Sequence, residues 1–131
     1  AQEFGGLTSN DAVKFRGVWE GKIEIIRDQK STVRIRVKIT DSEVAQYFFE
    51  ESKNDWRAVN PDVIRFTCDR NNAILYWHNR GGIWSETQVY SMSFLNNEEL
   101  DLVWSRHVNN IRKNENNETW HLFGSGRLLK K

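Results

Sequence analysis

The chain has 131 residues, enough for one domain with a single core. Its 19 basic and 18 acidic residues nearly cancel, which argues against a general nucleic-acid binder, while six Trp, seven Phe and three Tyr exclude a disordered chain. The lone cysteine excludes an intrachain disulfide, and the longest apolar run, "AILYW" at 73–77, is far too short to cross a bilayer.

In chain order, residues 1–14 read as an N-terminal arm. Its stretch "SNDAVKF" (9–15) forms a short helical turn that Ser9, Asn10 or Asp11 can cap. The opening "AQEF" is compatible with the start left by a signal-peptidase cut and equally with a trimmed end. The reading leans to an exported protein, periplasmic or secreted. A strand follows over 16–27, where alternation puts Trp19, Gly21, Ile23 and Ile25 on the inner face and Glu20, Lys22 and Glu24 outside. "VRIRVKI" (33–39) alternates most clearly, with Val33, Ile35, Val37 and Ile39 opposed to Arg34, Arg36 and Lys38. Residues 44–50 are the next strand, and "ESKNDWRAVNP" (51–61) is a loop holding Trp56 and Arg57. Strands at 63–69 and 73–79 lead to a hairpin with Arg80, Gly81 and Gly82 at its tip. Strands at 83–95 and 99–107 form a second hairpin, and 119–129 is the last strand. Asparagine doublets at 71–72, 96–97, 109–110 and 116–117 read as turns, since Asn tolerates positive φ and bonds its own backbone.

About eight strands on short connections define an all-β antiparallel meander, one domain over 1–131, whose edges are best hidden by closing the sheet into a barrel, with a sandwich as the alternative. "FRGVWEG" (15–21) after a helical turn resembles the Gly-x-Trp opening of the lipocalins and the wider calycin superfamily. That resemblance implies an eight-stranded barrel with a ligand-sized interior. It also implies that Arg127, near the end of the last strand, stacks on Trp19 and joins the two ends of the chain. The Thr-Asp-Tyr pattern of many lipocalins is absent, and the segment between the first two strands is too short for the paired helices of a fatty-acid-binding protein.

Site candidates come from strand faces that mix apolar and polar residues. "WSETQVYSMSF" (84–94) puts Trp84, Glu86, Gln88, Tyr90, Met92 and Phe94 on one side, a carboxylate and an amide among large side chains, as a cavity orienting a polar ligand group requires. The opposite assignment turns Ser85, Thr87, Val89, Ser91 and Ser93 inward and leaves Glu86 and Gln88 solvated. Arg106 continues the stripe Leu100, Leu102, Trp104; it either faces Glu86 or a ligand at the barrel mouth, or snorkels at the rim. Tyr76 shares a face with Ile74 and His78 and is counted with the ligand-binding set. His78, His107 and His121 lie on separate strands without ligand spacing, so no metal is assigned. Cys68 reads as a small core residue.

No nucleophile elbow, zinc-protease motif or phosphate loop occurs, so the reading assigns no catalytic residue and no cofactor. The leading expectation is a non-enzymatic protein holding a small hydrophobic or amphipathic ligand through Tyr76, Trp84, Glu86, Gln88, Tyr90 and Arg106. The alternative is a protein-binding module, an exported inhibitor or immunity-type protein on a packed barrel. Trp56 and Arg57 would be its contact residues, although Trp56 could instead fold down as a lid. The Arg34/Arg36/Lys38 stripe could track a nucleic-acid backbone, but balanced overall charge favours a solvated strand face, and neither nucleic acid nor an integral membrane segment is expected.

Overall fold

The computed structural model describes residues 7–26, 31–82, 84–110 and 118–131. A 3₁₀ turn at Ala12–Phe15 precedes nine strands: β1 (Gly17–Ile26), β2 (Ser31–Ile39), β3 (Val44–Glu50), β4 (Asp55–Ala58), β5 (Val63–Asp69), β6 (Asn72–Arg80), β7 (Trp84–Asn96), β8 (Glu99–Asn110) and β9 (Glu118–Lys130). They form one antiparallel sheet in the order β4-β3-β2-β1-β9-β8-β7-β6-β5. The first and last long strands therefore meet, with Trp19 opposite Lys130 and Ile26 opposite Phe123.

The sheet curls strongly but does not close. β4 and β5 are its two ends, and no ladder joins them. The expected complete barrel is thus corrected to a half-barrel, and the expected loop at 51–61 contains the extra strand β4. The chemistry of the seam explains the break. β4 is only four residues long, and just beyond it the Val59 N–H still donates to the Gln46 carbonyl, holding the chain against β3. Pro61 then offers no N–H to a ladder, and β5 begins as a new edge on the far side.

Alternation sets the inner face as the sequence pattern requires. Trp19, Ile23 and Ile25 on β1, Ile35, Val37 and Ile39 on β2, and Leu100, Leu102 and Trp104 on β8 are all buried. One end of the curled sheet is packed solid. Phe15, delivered by the 3₁₀ turn, lies with its ring centroid 4.6 Å from Phe94 and 5.8 Å from Phe66, while Trp19 meets Phe94 at 5.8 Å. The Trp19 indole donates to the Phe15 carbonyl at 2.8 Å, so this largest core residue has no unsatisfied polar atom. Ser9 Oγ accepts from the Ala12 N–H at 3.2 Å and caps the turn; Asp11 does not.

The two glycines around Trp19 have separate reasons. Gly17 has φ +138°, which other residues rarely adopt. A Cβ on Gly21 would stand 1.9 Å from the Arg127 carbonyl oxygen, so the tight β1–β9 curl requires its absence. The predicted cation on Trp19 is corrected: Arg127 has the outward parity of β9 and pairs with Glu99 at 3.2 Å, while the Lys130 ammonium lies 5.7 Å from the Trp19 ring. Turns occur at the first two asparagine doublets. The doublet 109–110 instead completes β8, and 116–117 lies outside the described residues. No helix among the described residues is long and apolar enough to cross a membrane.

Candidate ligand cleft

At the other end the sheet surrounds a cleft of about 800 Å³. Its apolar walls come from inner-face residues of β1 and β2 (Ile23, Ile25, Val33, Ile35), Phe48 of β3 and Leu122 of β9. The indoles of Trp77 and Trp104 complete the floor together with a line of polar groups.

That line has one direction. The Trp77 Nε1 donates to Gln46 Oε1 at 2.6 Å, and Gln46 Nε2 donates to the Tyr90 hydroxyl. Tyr90 donates to Gln88 Oε1, which also accepts the Trp104 indole at 3.0 Å, and Gln88 Nε2 donates to Glu86 Oε2 at 2.6 Å. Arg106 closes the line from the other side, its Nε 2.6 Å from Glu86 Oε2 and its Nη2 3.2 Å from Oε1. An indole can only donate, so Trp77 and Trp104 dictate which end of each glutamine amide is oxygen. The carboxylate of Glu86 is the sink for all of them.

The geometry has an electrostatic consequence. Glu86 and Arg106 neutralise each other across β7 and β8, with the Glu86 side chain 7% exposed and that of Arg106 31%. The fork leaves Arg106 Nη1 outside the pair, and the guanidinium lies 4.8 Å from the Trp120 ring. Burial pushes the Tyr90 phenol well above its ordinary value of 10.0. The hydrogen bond from Gln46 opposes that shift and the Glu86 charge adds to it. Tyr90 is therefore a neutral donor at any physiological pH.

The structure brings Glu86, Gln88, Tyr90 and Arg106 together on the cleft and separates the rest of the predicted set. Tyr76 points to the outer face and is 38% exposed, because its neighbours Leu75 and Trp77 take the inward positions of β6. Trp84 is half-buried at the start of β7, where its carbonyl accepts from the Gly81 N–H at 2.8 Å; it stands beyond the cleft lining. Trp56 and Arg57 face opposite ways, since strand alternation in β4 sends Trp56 outward and Arg57 into the cleft wall. Gln46 was missed although its signal was present: it is the polar residue in the inward series Val44, Gln46, Phe48.

Elsewhere, His78 Nδ1 lies 2.9 Å from Thr87 Oγ1, and the rings of His107 and His121 stack at 4.5 Å on the outer face. No group of three metal-ligating side chains gathers among the described residues. Cys68 is buried, with its sulfur 3.6 Å from Ser9 Oγ. Compared with family models, curated proteins and solved structures, the chain matches none.

Proposed function

We propose that the chain is a non-enzymatic binding protein that holds a small amphipathic molecule in the open half of its curled sheet. The observation that carries this reading is the cleft of about 800 Å³, with aliphatic and aromatic walls converging on one ordered polar line. Apolar walls supply affinity and a few fixed polar groups supply orientation, the usual division of labour in small-molecule sites. The lipocalin-like opening of the sequence leads to the same carrier or sensor reading.

Because Glu86 and Arg106 cancel, the ligand's polar end is a hydrogen-bond acceptor, a carbonyl or a carboxylate, that meets the guanidinium edge left free at Nη1. Its body lies against Ile25, Val33, Phe48 and Leu122. An enzyme reading has less support: the carboxylate is consumed by its own neighbours and the phenol is locked neutral, so no acid–base pair among the described residues addresses the cleft.

The test is a titration with a fluorescent fatty-acid analogue, alongside native mass spectrometry of the purified protein. Saturable binding that Leu122→Trp abolishes by filling the cleft is the expected result. A flat titration together with an empty native spectrum overturns the proposal.

A further inference from the structure

The outer face of β2, β3 and β4 carries a second assembly that the cleft does not use. The Arg34 guanidinium lies 4.2 Å from the Phe49 ring and 5.3 Å from that of Trp56, while Arg36 lies 4.3 Å from Trp56. Phe49 and Trp56 meet edge to face at 5.3 Å. Arg36 is also neutralised by Glu20 at 2.9 Å. Arg34 is exposed and meets no carboxylate among the described residues, and the exposed Lys22 stands opposite it in the β1–β2 register. Lys38, also exposed, extends the same stripe along β2.

We propose that this face docks an extended acidic segment of a partner protein. A guanidinium laid on an aromatic face is already oriented, so little further freedom is lost when its N–H edge forks onto a carboxylate. Residues 34, 36 and 38 repeat at about 6.8 Å along the strand, the same distance that separates alternate side chains of any extended peptide. Carboxylates four positions apart on one face of such a peptide therefore reach Arg34 and Lys38, with a neutral residue over the Arg36–Glu20 pair, and Trp56 supplies the aromatic anchor beside it.

A single nucleic-acid strand fits less well. The guanidinium groups already occupy faces of Phe49 and Trp56 on which bases would stack. Glu20 also places a carboxylate among the cations, which repels a chain that carries a phosphate on every nucleotide, whereas a peptide can present a neutral residue there.

The experiment is selection of a displayed library of random 12-residue peptides on the intact protein, followed by anisotropy titration of the enriched peptides and of a labelled oligo(dT). The expected result is enrichment of Asp or Glu at positions four apart, with affinity falling about tenfold in Arg34→Gln and less in Trp56→Ala. His107→Asn, on a distant part of the outer face, leaves binding unchanged. Circular dichroism confirms that each variant folds. The proposal is overturned by no enrichment, by enriched peptides without acidic bias, by acidic peptides that bind Arg34→Gln equally well, or by oligo(dT) binding more tightly than any peptide.

Discussion

The two ends of the curled sheet are built from the same strands and differ in what fills them. At the packed end, Phe15, Trp19, Phe94, Leu100, Leu102 and Leu128 interlock, and the N-terminal turn supplies a ring that the sheet itself lacks. At the open end no such plug arrives among the described residues. The inward positions are taken by Gln46, Glu86, Gln88 and Arg106, whose polar atoms bond one another except at Arg106 Nη1 and leave space above them. A core can thus support a cleft when the apolar surface at one end is buried well enough to hold the strands, and the buried polar groups at the other bond one another. The open seam between β4 and β5 adds to the contrast, since Arg57, Val59 and Asn60 on its β4 side border the cleft.

Truncation at the packed end is expected to have the largest effect. Trp19→Ala removes a side chain with no exposed surface and its bond to the Phe15 carbonyl, for a loss of about 4 kcal/mol in urea unfolding. A loss below about 1.5 kcal/mol would show that this end is looser than its contacts imply. A matched pair tests the contrast directly. Leu102→Ala opens a cavity in close packing and is expected to cost about 3 kcal/mol, whereas Leu122→Ala only enlarges an existing cleft and costs about 1.5 kcal/mol. Equal losses would mean that the open end is as tightly filled as the other.

Glu86→Ala comes next in size. It strands a guanidinium that is only partly buried, so about 2 kcal/mol is expected, below the range for a fully buried pair. Recovery of that stability in the double variant Glu86→Ala/Arg106→Leu would locate the cost in the unpaired cation.

The smallest effect is a pH dependence. The Tyr90 phenol is raised in the folded protein and ordinary in the unfolded chain, so between the two values only the folded state keeps the proton. Stability is therefore fully present below pH 10.0 and falls above it, by up to about 1.4 kcal/mol per pH unit for this one group. Tyr90→Phe should flatten that slope relative to the parent chain. An unchanged slope would place the alkaline loss in other groups.

Period-2 alternation made most of this legible. The faces of β1, β2 and β8 and the inward series Glu86, Gln88, Tyr90 follow from residue parity alone, and so does the facing of Arg106 and Glu86 once β7 and β8 pair as a hairpin. Parity also carried the information against two expectations: Tyr76 and Arg127 each sit one residue out of step with their inward neighbours. The strand at 55–58 was hidden because "DWRA" is short, half charged and next to a turn, a pattern that local preference reads as loop until β3 pairs with it.

By itself the sequence determined the class of fold and the inner face of nearly every strand, because side-chain alternation acts within a few residues. Only the tertiary structure decided that the sheet stops short of closure, that Lys130 and not Arg127 stands over Trp19, and that Trp77, Gln46, Tyr90, Gln88 and Glu86 join into one line. Those outcomes depend on the register between strands far apart in the chain, and register is settled by the packing of the whole sheet.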